Sequence, residues 1–339
     1  MRLYRTGIVG VLTGLLWGVP VLAQAPLPTP ILTQAIRNRW LQFQVVSGRI
    51  TLGGSRFGNI NSNSSRSGRT EKLSIRLSNA ERSVTYHRSD SKEQLSMEVS
   101  SRGRISIRHA AKQDSTIVPV QFTQVPNEPI SLALGPEDRQ QVYRAATLWH
   151  LAIAQPKECR QHLFPLLQLL RPDWRLAETA AAMEVELLQA ASVGRLPDRR
   201  RWDPLVEQLA DQRFSRREAA DRDLRSAGPV VLSYLRALDF NRLDAEQQYR
   251  IRRIIRSLSR QTGDDTAEKF ASQLLADPDV WLALLSRQEE SARRLAARQL
   301  GAILGQPIRF DPTADNDTRT AQIDQLRAQI RGRRPEPKD

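Results

Sequence analysis

The chain has 339 residues, of which 40% are hydrophobic and 26% charged, a composition that supports folded cores and excludes wholesale disorder. Its length suits about two domains, and its formal net charge at pH 7 is +14. The single cysteine, Cys159, excludes an intramolecular disulfide, so we expect a buried small side chain there.

The N-terminus, residues 1–25, has the pattern of a secretory signal peptide. Arg2 and Arg5 precede the uncharged run TGIVGVLTGLLWGVPVLA, and cleavage is expected after Ala23 or Ala25. An uncleaved anchor is the alternative, because about 18 uncharged residues is the short limit for crossing a bilayer. We therefore expect an exported protein, periplasmic or extracellular, with no transmembrane segment after cleavage.

A leader segment, residues 26–39, is followed at 40–134 by short runs of alternating apolar and polar residues. Examples are EKLSIRLS, RSVTYHRS and GRISIRHA, which are separated by Ser, Asn, Gly and Asp. Alternation places one face in a core and the other in water, which predicts an antiparallel β-domain. The Ser-rich and Asn-rich segment 55–70 is too polar for such a strand, and we predict a long mobile hairpin loop there.

From Pro136 the hydrophobic period changes from 2 to 3.6, which predicts a helical domain over residues 136–194. The core face of its first helix would consist of Val142, Ala146, Trp149 and Ile153, with Pro156 at its end. Residues 195–201, RLPDRRR, are dense in charge and are the best candidate for a linker.

Residues 202–258 are divided by their own capping residues into several short helices. Ser215 and Glu218 have the spacing of a capping box, Gly228 suits a left-handed helix end before Pro229, and Asp244 suits a helix start. The last of these helices has an apolar stripe and an Arg-rich remainder.

Two phrases in this half resemble a known family. FSRREAADRDLRSAGPVVLSYLRAL is similar to the HEAT-like modules that recur in exported bacterial proteins, and ARRLAARQLGAILGQPIRFDPTADNDTRTAQIDQLRAQI resembles their C-terminal element. The resemblance covers residues 202–330 and implies stacked helical hairpins, but it implies no catalytic residue. The tail, 331–339, is predicted to be disordered. The sequence thus predicts an α+β protein, an N-terminal antiparallel β-domain followed by a C-terminal HEAT-like α-helical repeat stack.

The excess positive charge lies on the predicted β-domain. Residues 40–134 contain 13 Lys or Arg against 7 Asp or Glu, a net charge of +6, whereas residues 135–339 have a net charge of +4. Arg49, Arg76, Arg104 and Arg108 alternate with apolar neighbours and are expected on the solvated face, where they would contact an anionic surface. Only six of the 51 basic residues are Lys, which indicates a general Arg bias and argues against a nucleic-acid partner.

The sequence contains no complete catalytic, metal or cofactor motif. GGSRFG lacks the Lys-Ser/Thr of a phosphate-binding loop and is expected to form a hairpin turn. DPTADND lacks the Gly and Glu of a calcium loop, and its Asp317 is expected to cap the closing helix. The histidines, His87, His109, His150 and His162, have no ligand spacing.

We therefore expect a non-catalytic interaction or scaffold protein of the cell envelope that binds a protein partner through its helical repeats. Stacked hairpins favour this function because they form extended surfaces. Two alternatives are an anionic-polymer-binding protein that uses the basic β-domain and an enzyme with a site at the seam of the two domains.

Overall fold

The computed structural model describes residues 30–53, 56–66, 68–79, 81–100, 103–112, 117–194, 199–259 and 263–332. The predicted signal peptide lies outside these residues, as do 26–29 of the leader, 195–198 of the linker candidate and 333–339 of the tail. Within the described residues, no helix combines the length and the apolar character needed to cross a membrane.

The strands precede most of the helices, which confirms the α+β class. Helix α1, Pro30–Arg37, is followed by a hairpin of β1, Gln42–Val46, and β2, Arg49–Gly53. An eight-stranded antiparallel sheet comes next, in which each strand pairs with its neighbour in the sequence. Its strands are β3, Gly58–Arg66; β4, Arg69–Leu77; β5, Arg82–Ser89; β6, Glu93–Val99; β7, Ile105–Ala111; β8, Val120–Gln124; β9, Ile130–Leu134; and β10, Gln141–Ala145.

The alternation of residues gives this sheet a buried inner face and an exposed outer face. On β4, Leu73, Ile75 and Leu77 are buried, whereas Lys72, just before Leu73, and Arg76, between Ile75 and Leu77, are exposed. Helix α1 packs beside β3 and β4, and the β1–β2 hairpin adds its apolar side chains to the same core. The outer face has no such cover among the described elements.

The prediction of a mobile loop at residues 55–70 is wrong, because most of this segment is strand β3. β3 pairs with β4 in one unbroken register, from Gly58 opposite Leu77 to Arg66 opposite Arg69. The hydrogen bonds of a ladder join backbone groups and do not require apolar side chains. β3 lies at the sheet edge and contributes only Ile60 to the core, so its polar composition is tolerated.

The expected first helix of the C-terminal half also needs correction. Residues 141–145 form strand β10, which pairs with β9, so the sheet continues past the boundary predicted at residue 134. Helix α2, Leu148–Ala154, begins only after Thr147, whose hydroxyl accepts the His150 N–H. Val142 and Ala146 are therefore not helical, whereas Trp149 and Ile153 are helical and buried as predicted.

Helices make up most of the chain after β10. They are α3, Pro156–Glu158, which continues through a π-helical turn, Cys159–Leu163, into α4, Phe164–Leu167; α5, Leu176–Ser192; α6, Asp203–Gln208; α7, Phe214–Ser226; α8, Leu232–Arg236; α9, Ala245–Leu258; α10, Ala267–Leu274; α11, Pro278–Leu284; α12, Glu290–Leu304; and α13, Asn316–Gly332.

Several predicted helix ends are confirmed. Gly228 has φ +72° after α7, and Asp244 forms a capping box with Gln247 at the start of α9. Two others are wrong. The Ser215–Glu218 box does not form, because Ser215 lies inside α7. The N-terminus of α13 is capped by Asp315, not Asp317: its carboxylate accepts the N–H of residues 317 and 318 at 3.0 Å.

The buried apolar side chains fall into two cores. The first joins the inner face of the sheet to α2, α4, α5 and the helices from α10 to α13. The second belongs to the segment from α6 to α9 and includes Trp202, Leu224, Leu235, Ile251 and Ile254. Each fully buried Leu or Ile stabilises its core by about 1.5–3 kcal/mol, so both segments have a folded interior of their own.

The turn of the β1–β2 hairpin is fixed to the helical half. Ser47 and Gly48 donate their N–H groups to the Asp265 carboxylate at 2.8 and 2.6 Å, and Trp149 Nε1 donates to it at 2.8 Å. The N–H of Leu148 donates to the Gly48 carbonyl at 2.8 Å. Burial raises the pKa of Asp265, although the hydrogen bonds that its carboxylate accepts from Trp149, Gly48 and Ser47 oppose the shift. Asp265 therefore holds the hairpin, α2 and the segment before α10 together.

Candidate functional site

Helices α7 and α9 of the second core lie side by side and point in the same direction. Glu218 on α7 accepts a hydrogen bond from Arg250 on α9 at 2.7 Å, and Asp221 accepts one from Arg253 at 2.8 Å. Both pairs join residues 32 positions apart, so residue numbers increase together along the two helices. Parallel helices at a fixed sequence offset are typical of stacked helical repeats.

Asp221 is the most buried carboxylate of this contact. Its side chain is 3% exposed and accepts hydrogen bonds from Arg225 Nε at 2.7 Å and from Arg253 Nη2 at 2.8 Å. The bond to Asp221 raises the pKa of Arg253 above its ordinary value. A buried carboxylate is tolerated when it is paired and hydrogen-bonded, as here. Asp221 thus fixes two arginines from two helices.

Arg250 on α9 is also fixed by two carboxylates, one from α7 and one from its own helix. Its guanidinium donates to Glu218 at 2.7 Å and to Glu246 at 2.6 Å, and only 6% of its side chain is exposed. Burial lowers the pKa of Arg250, but the bonds to the two carboxylates outweigh burial and raise it. The side chain therefore has little freedom left to lose when another molecule binds beside it.

Two large aromatic side chains are exposed next to these arginines. Phe214 is 63% exposed and Tyr249 is 60% exposed. The guanidinium carbons of Arg217 and Arg250 lie 5.6 and 6.0 Å from the centre of the Phe214 ring, and the nearby Tyr249 side chain contributes to raising the pKa of Arg253. Exposed aromatic rings beside ordered arginines are typical of protein-binding hot spots. We name this surface, made of Phe214, Arg217, Tyr249, Arg250 and Arg253, the α7–α9 face.

The four arginines predicted to form an anionic-surface contact are not brought together. Arg49 on β2 donates to three backbone carbonyls, and burial lowers its pKa. Arg108 forms an ion pair with Glu137. Arg76 and Arg104 are exposed at the same end of the sheet, but three strand spacings, about 14 Å, separate β4 from β7.

The histidines are dispersed through the fold. His109 Nε2 lies 2.7 Å from Glu93, which also pairs with Arg88, and His150 Nε2 lies 3.1 Å from Asp277. Among the residues that the structure describes, no cluster of three or more His, Cys, Asp or Glu side chains could hold a metal ion.

Cys159 is buried in the first core, as predicted. Burial raises the pKa of its thiol to about 12, with a smaller contribution from the negative charge of Glu158. Near neutral pH this group is therefore a thiol with little nucleophilic character.

Sequence reasoning missed the α7–α9 face. The sequence analysis treated the arginines of α9 as a solvated surface and did not select Phe214 or Tyr249 as candidate site residues. The available signal was local: in RFSRR and QYRIRR an aromatic residue stands directly among arginines on a helix.

No family model, curated protein or solved structure matches this chain. The functional assignment therefore depends on the residues and their geometry.

Proposed function

We propose that this is a non-catalytic, exported interaction or scaffold protein of the cell envelope, which binds a protein partner through its helical repeats at the α7–α9 face. The observation that carries the proposal is the exposure of Phe214 and Tyr249 on two parallel helices, beside arginines already paired with carboxylates, of which Asp221 is buried. The signal-peptide pattern of residues 1–25 supports export.

Fixed arginines make this surface suited to binding. Ordering a long, mobile side chain at an interface costs about 0.5–1.5 kcal/mol, and the carboxylates of α7 have already ordered Arg250 and Arg253. A partner therefore gains the aromatic and guanidinium contacts without most of that cost. The parallel setting of α7 and α9 also supports the resemblance to HEAT-like modules.

Site-specific photo-crosslinking tests this proposal in cells that produce the full chain. A crosslinking amino acid replaces Tyr249 in one variant and Val185, a 61% exposed residue on α5, in the control. We expect a defined protein adduct from position 249 only, and we expect Phe214→Ala to weaken binding of that partner about tenfold, the size of a moderate hot spot. Equal adducts from both positions, or an adduct unchanged by Phe214→Ala, would refute the assignment.

Binding of an anionic polymer is a second candidate, favoured by the exposed cations Lys72, Arg76 and Arg104 on the basic β-domain. In that case Arg76→Gln and Arg104→Gln would each reduce the slope of log affinity against log salt by about 0.7–0.9. Arg49→Gln should leave the slope unchanged, because the Arg49 guanidinium is engaged by backbone carbonyls.

A further inference from the structure

Strand β3 forms an edge of the eight-stranded sheet, and β4 is its one partner within the described chain. It is nine residues long and has no bulge, and residues 58–65 include no charged residue and no proline. Natural sheet edges are usually protected by shortness, Lys, Pro or bulges. The opposite edge is better protected, since β10 has only five residues and includes the charged Arg144. β3 is thus an unprotected edge.

The side chains of β3 are polar and solvated, and they leave its backbone free to pair with another strand. Asn59, Asn61 and Asn63 are exposed and uncharged. Along the free side of an edge strand, backbone N–H and C=O groups can bond to another strand. Polar, uncharged residues allow such pairing and limit unspecific hydrophobic association. These are the properties of a strand-addition site, in which an extended peptide joins an existing sheet.

We propose that β3 binds an extended, acidic segment of another protein as an added antiparallel strand. The choice of an acidic segment follows from the outer face of β4. Lys72 lies opposite Asn63 and Arg76 lies opposite Asn59, and both cations are exposed. An added strand would lie two strand spacings, about 10 Å, from β4, within the combined reach of Lys or Arg and Glu side chains.

The register also defines where the acidic and apolar residues of the added segment belong. Acidic residues opposite Asn59 and Asn63 are four positions apart on the same face. Ile60 packs against the first core. A Cβ placed on Gly58 would lie 3.2 Å from the Trp40 ring, so this side of β3 is apolar at Gly58 as well. Residues opposite Ile60 and Gly58 would therefore face this apolar side. Read along an antiparallel partner, the preferred pattern is acidic, any, any, apolar, acidic, apolar.

The chain's own termini and a second copy fit the edge less well. The terminal segments are rich in proline, which lacks the N–H that a ladder requires. They are residues 24–30, QAPLPTP, and residues 333–339, RRPEPKD. A second copy would offer its own β3, which has no acidic residue to pair with Lys72 and Arg76. The proposal is independent of the α7–α9 face and of the partner proposed for it.

The probe is a fluorescein-labelled nine-residue peptide of Thr, with Glu at positions four and eight and Val at positions seven and nine. A second peptide has Lys in place of both Glu, and a third has Pro at positions three and five. Binding to the full chain is measured by fluorescence anisotropy, and hydrogen–deuterium exchange locates it. We expect the Glu peptide to bind best and to slow exchange within Gly58–Arg66.

Charge reversal is the matched variant. Lys72→Glu combined with Arg76→Glu should weaken the Glu peptide about 3- to 30-fold and strengthen the Lys peptide, since each cross-strand charge pair contributes modestly. Arg144→Glu, at the opposite sheet edge, is the control and should change neither affinity by more than about twofold. Far-UV circular dichroism confirms that each variant is folded.

Four results would overturn the proposal. They are unchanged exchange in β3 on peptide binding, equal affinity for the proline peptide, equal weakening by Arg144→Glu, and strong β3 protection without peptide. In the last case, dependence of the protection on protein concentration would assign the edge to a second copy, and independence would assign it to the chain itself.

Discussion

Gly48 at the tip of the β1–β2 hairpin offers the sharpest test of how the two halves are joined. Its φ of +69° lies in the left-handed region, which disfavours any residue with a Cβ. A Cβ at this position would also lie 2.5 Å from Thr147 Cβ and 2.9 Å from the Phe270 ring. The substitution Gly48→Ala therefore meets both a conformational and a steric penalty.

These two penalties can be separated by a matched glycine. The left-handed conformation costs an L-residue about 1–2 kcal/mol, and overpacking a filled site costs a further 1–3 kcal/mol, so we expect Gly48→Ala to destabilise the fold by about 2–5 kcal/mol. Gly194, after α5, has φ +68° and no atom within 4 Å of its would-be Cβ. Gly194→Ala should therefore show only the first penalty.

Urea unfolding followed by far-UV circular dichroism gives the free energy of unfolding for both variants. Gly48→Ala should lose more stability than Gly194→Ala by at least about 1 kcal/mol, the lower bound of the overpacking term. Equal losses would show that the close packing of Gly48 between Thr147 and Phe270 does not exist in solution, and the reasoning about this junction would fail.

Three further predictions concern single side chains. Asp221→Ala should lower the free energy of unfolding by about 2–4 kcal/mol, because Arg225 and Arg253 lose a buried acceptor, whereas Asp223→Ala on the exposed side of α7 should lower it by less than about 0.5 kcal/mol; similar urea curves would contradict the network. Cys159 should resist iodoacetamide in the folded protein up to about pH 9 and react once urea unfolds the chain, since its folded pKa is about 12 and only the thiolate reacts; rapid labelling of the folded protein would show that the thiol is accessible. Arg49→Gln should destabilise the fold by about 1–3 kcal/mol, because its guanidinium loses its hydrogen bonds to backbone carbonyls. A variant whose melting temperature equals that of the wild type would count against this structural role.

Features that depend on neighbours in the sequence were predictable. The alternation of Leu73, Ile75 and Leu77 indicated a strand with one buried face, because side chains of a strand point to opposite sides in turn. Gly228 and Asp244 indicated helix ends, because a left-handed residue and a capping carboxylate act within one turn of the helix they terminate.

Features that depend on distant partners were not predictable. β3 is a strand because β4 supplies the other half of its ladder, and β10 is a strand because β9 does the same. Glu218 has the spacing of a capping box, yet its carboxylate instead accepts from Arg250, 32 residues away. The two aromatic residues of the α7–α9 face became a candidate site only when the packing of the helices left them exposed.

The sequence by itself determined that most strands precede the helices, which faces of strands such as β4 enter the core, and helix ends such as those at Gly228 and Asp244, since these follow from periodicity and local backbone chemistry. The tertiary structure decided where the charges act. Arg49 was expected to face solvent, but the folded chain surrounds its guanidinium with backbone carbonyls, whereas Lys72 and Arg76 stay exposed beside an open sheet edge. An arginine's role depends on which acceptors the fold brings within about 3 Å of it, and that distance is set by residues far away in the sequence.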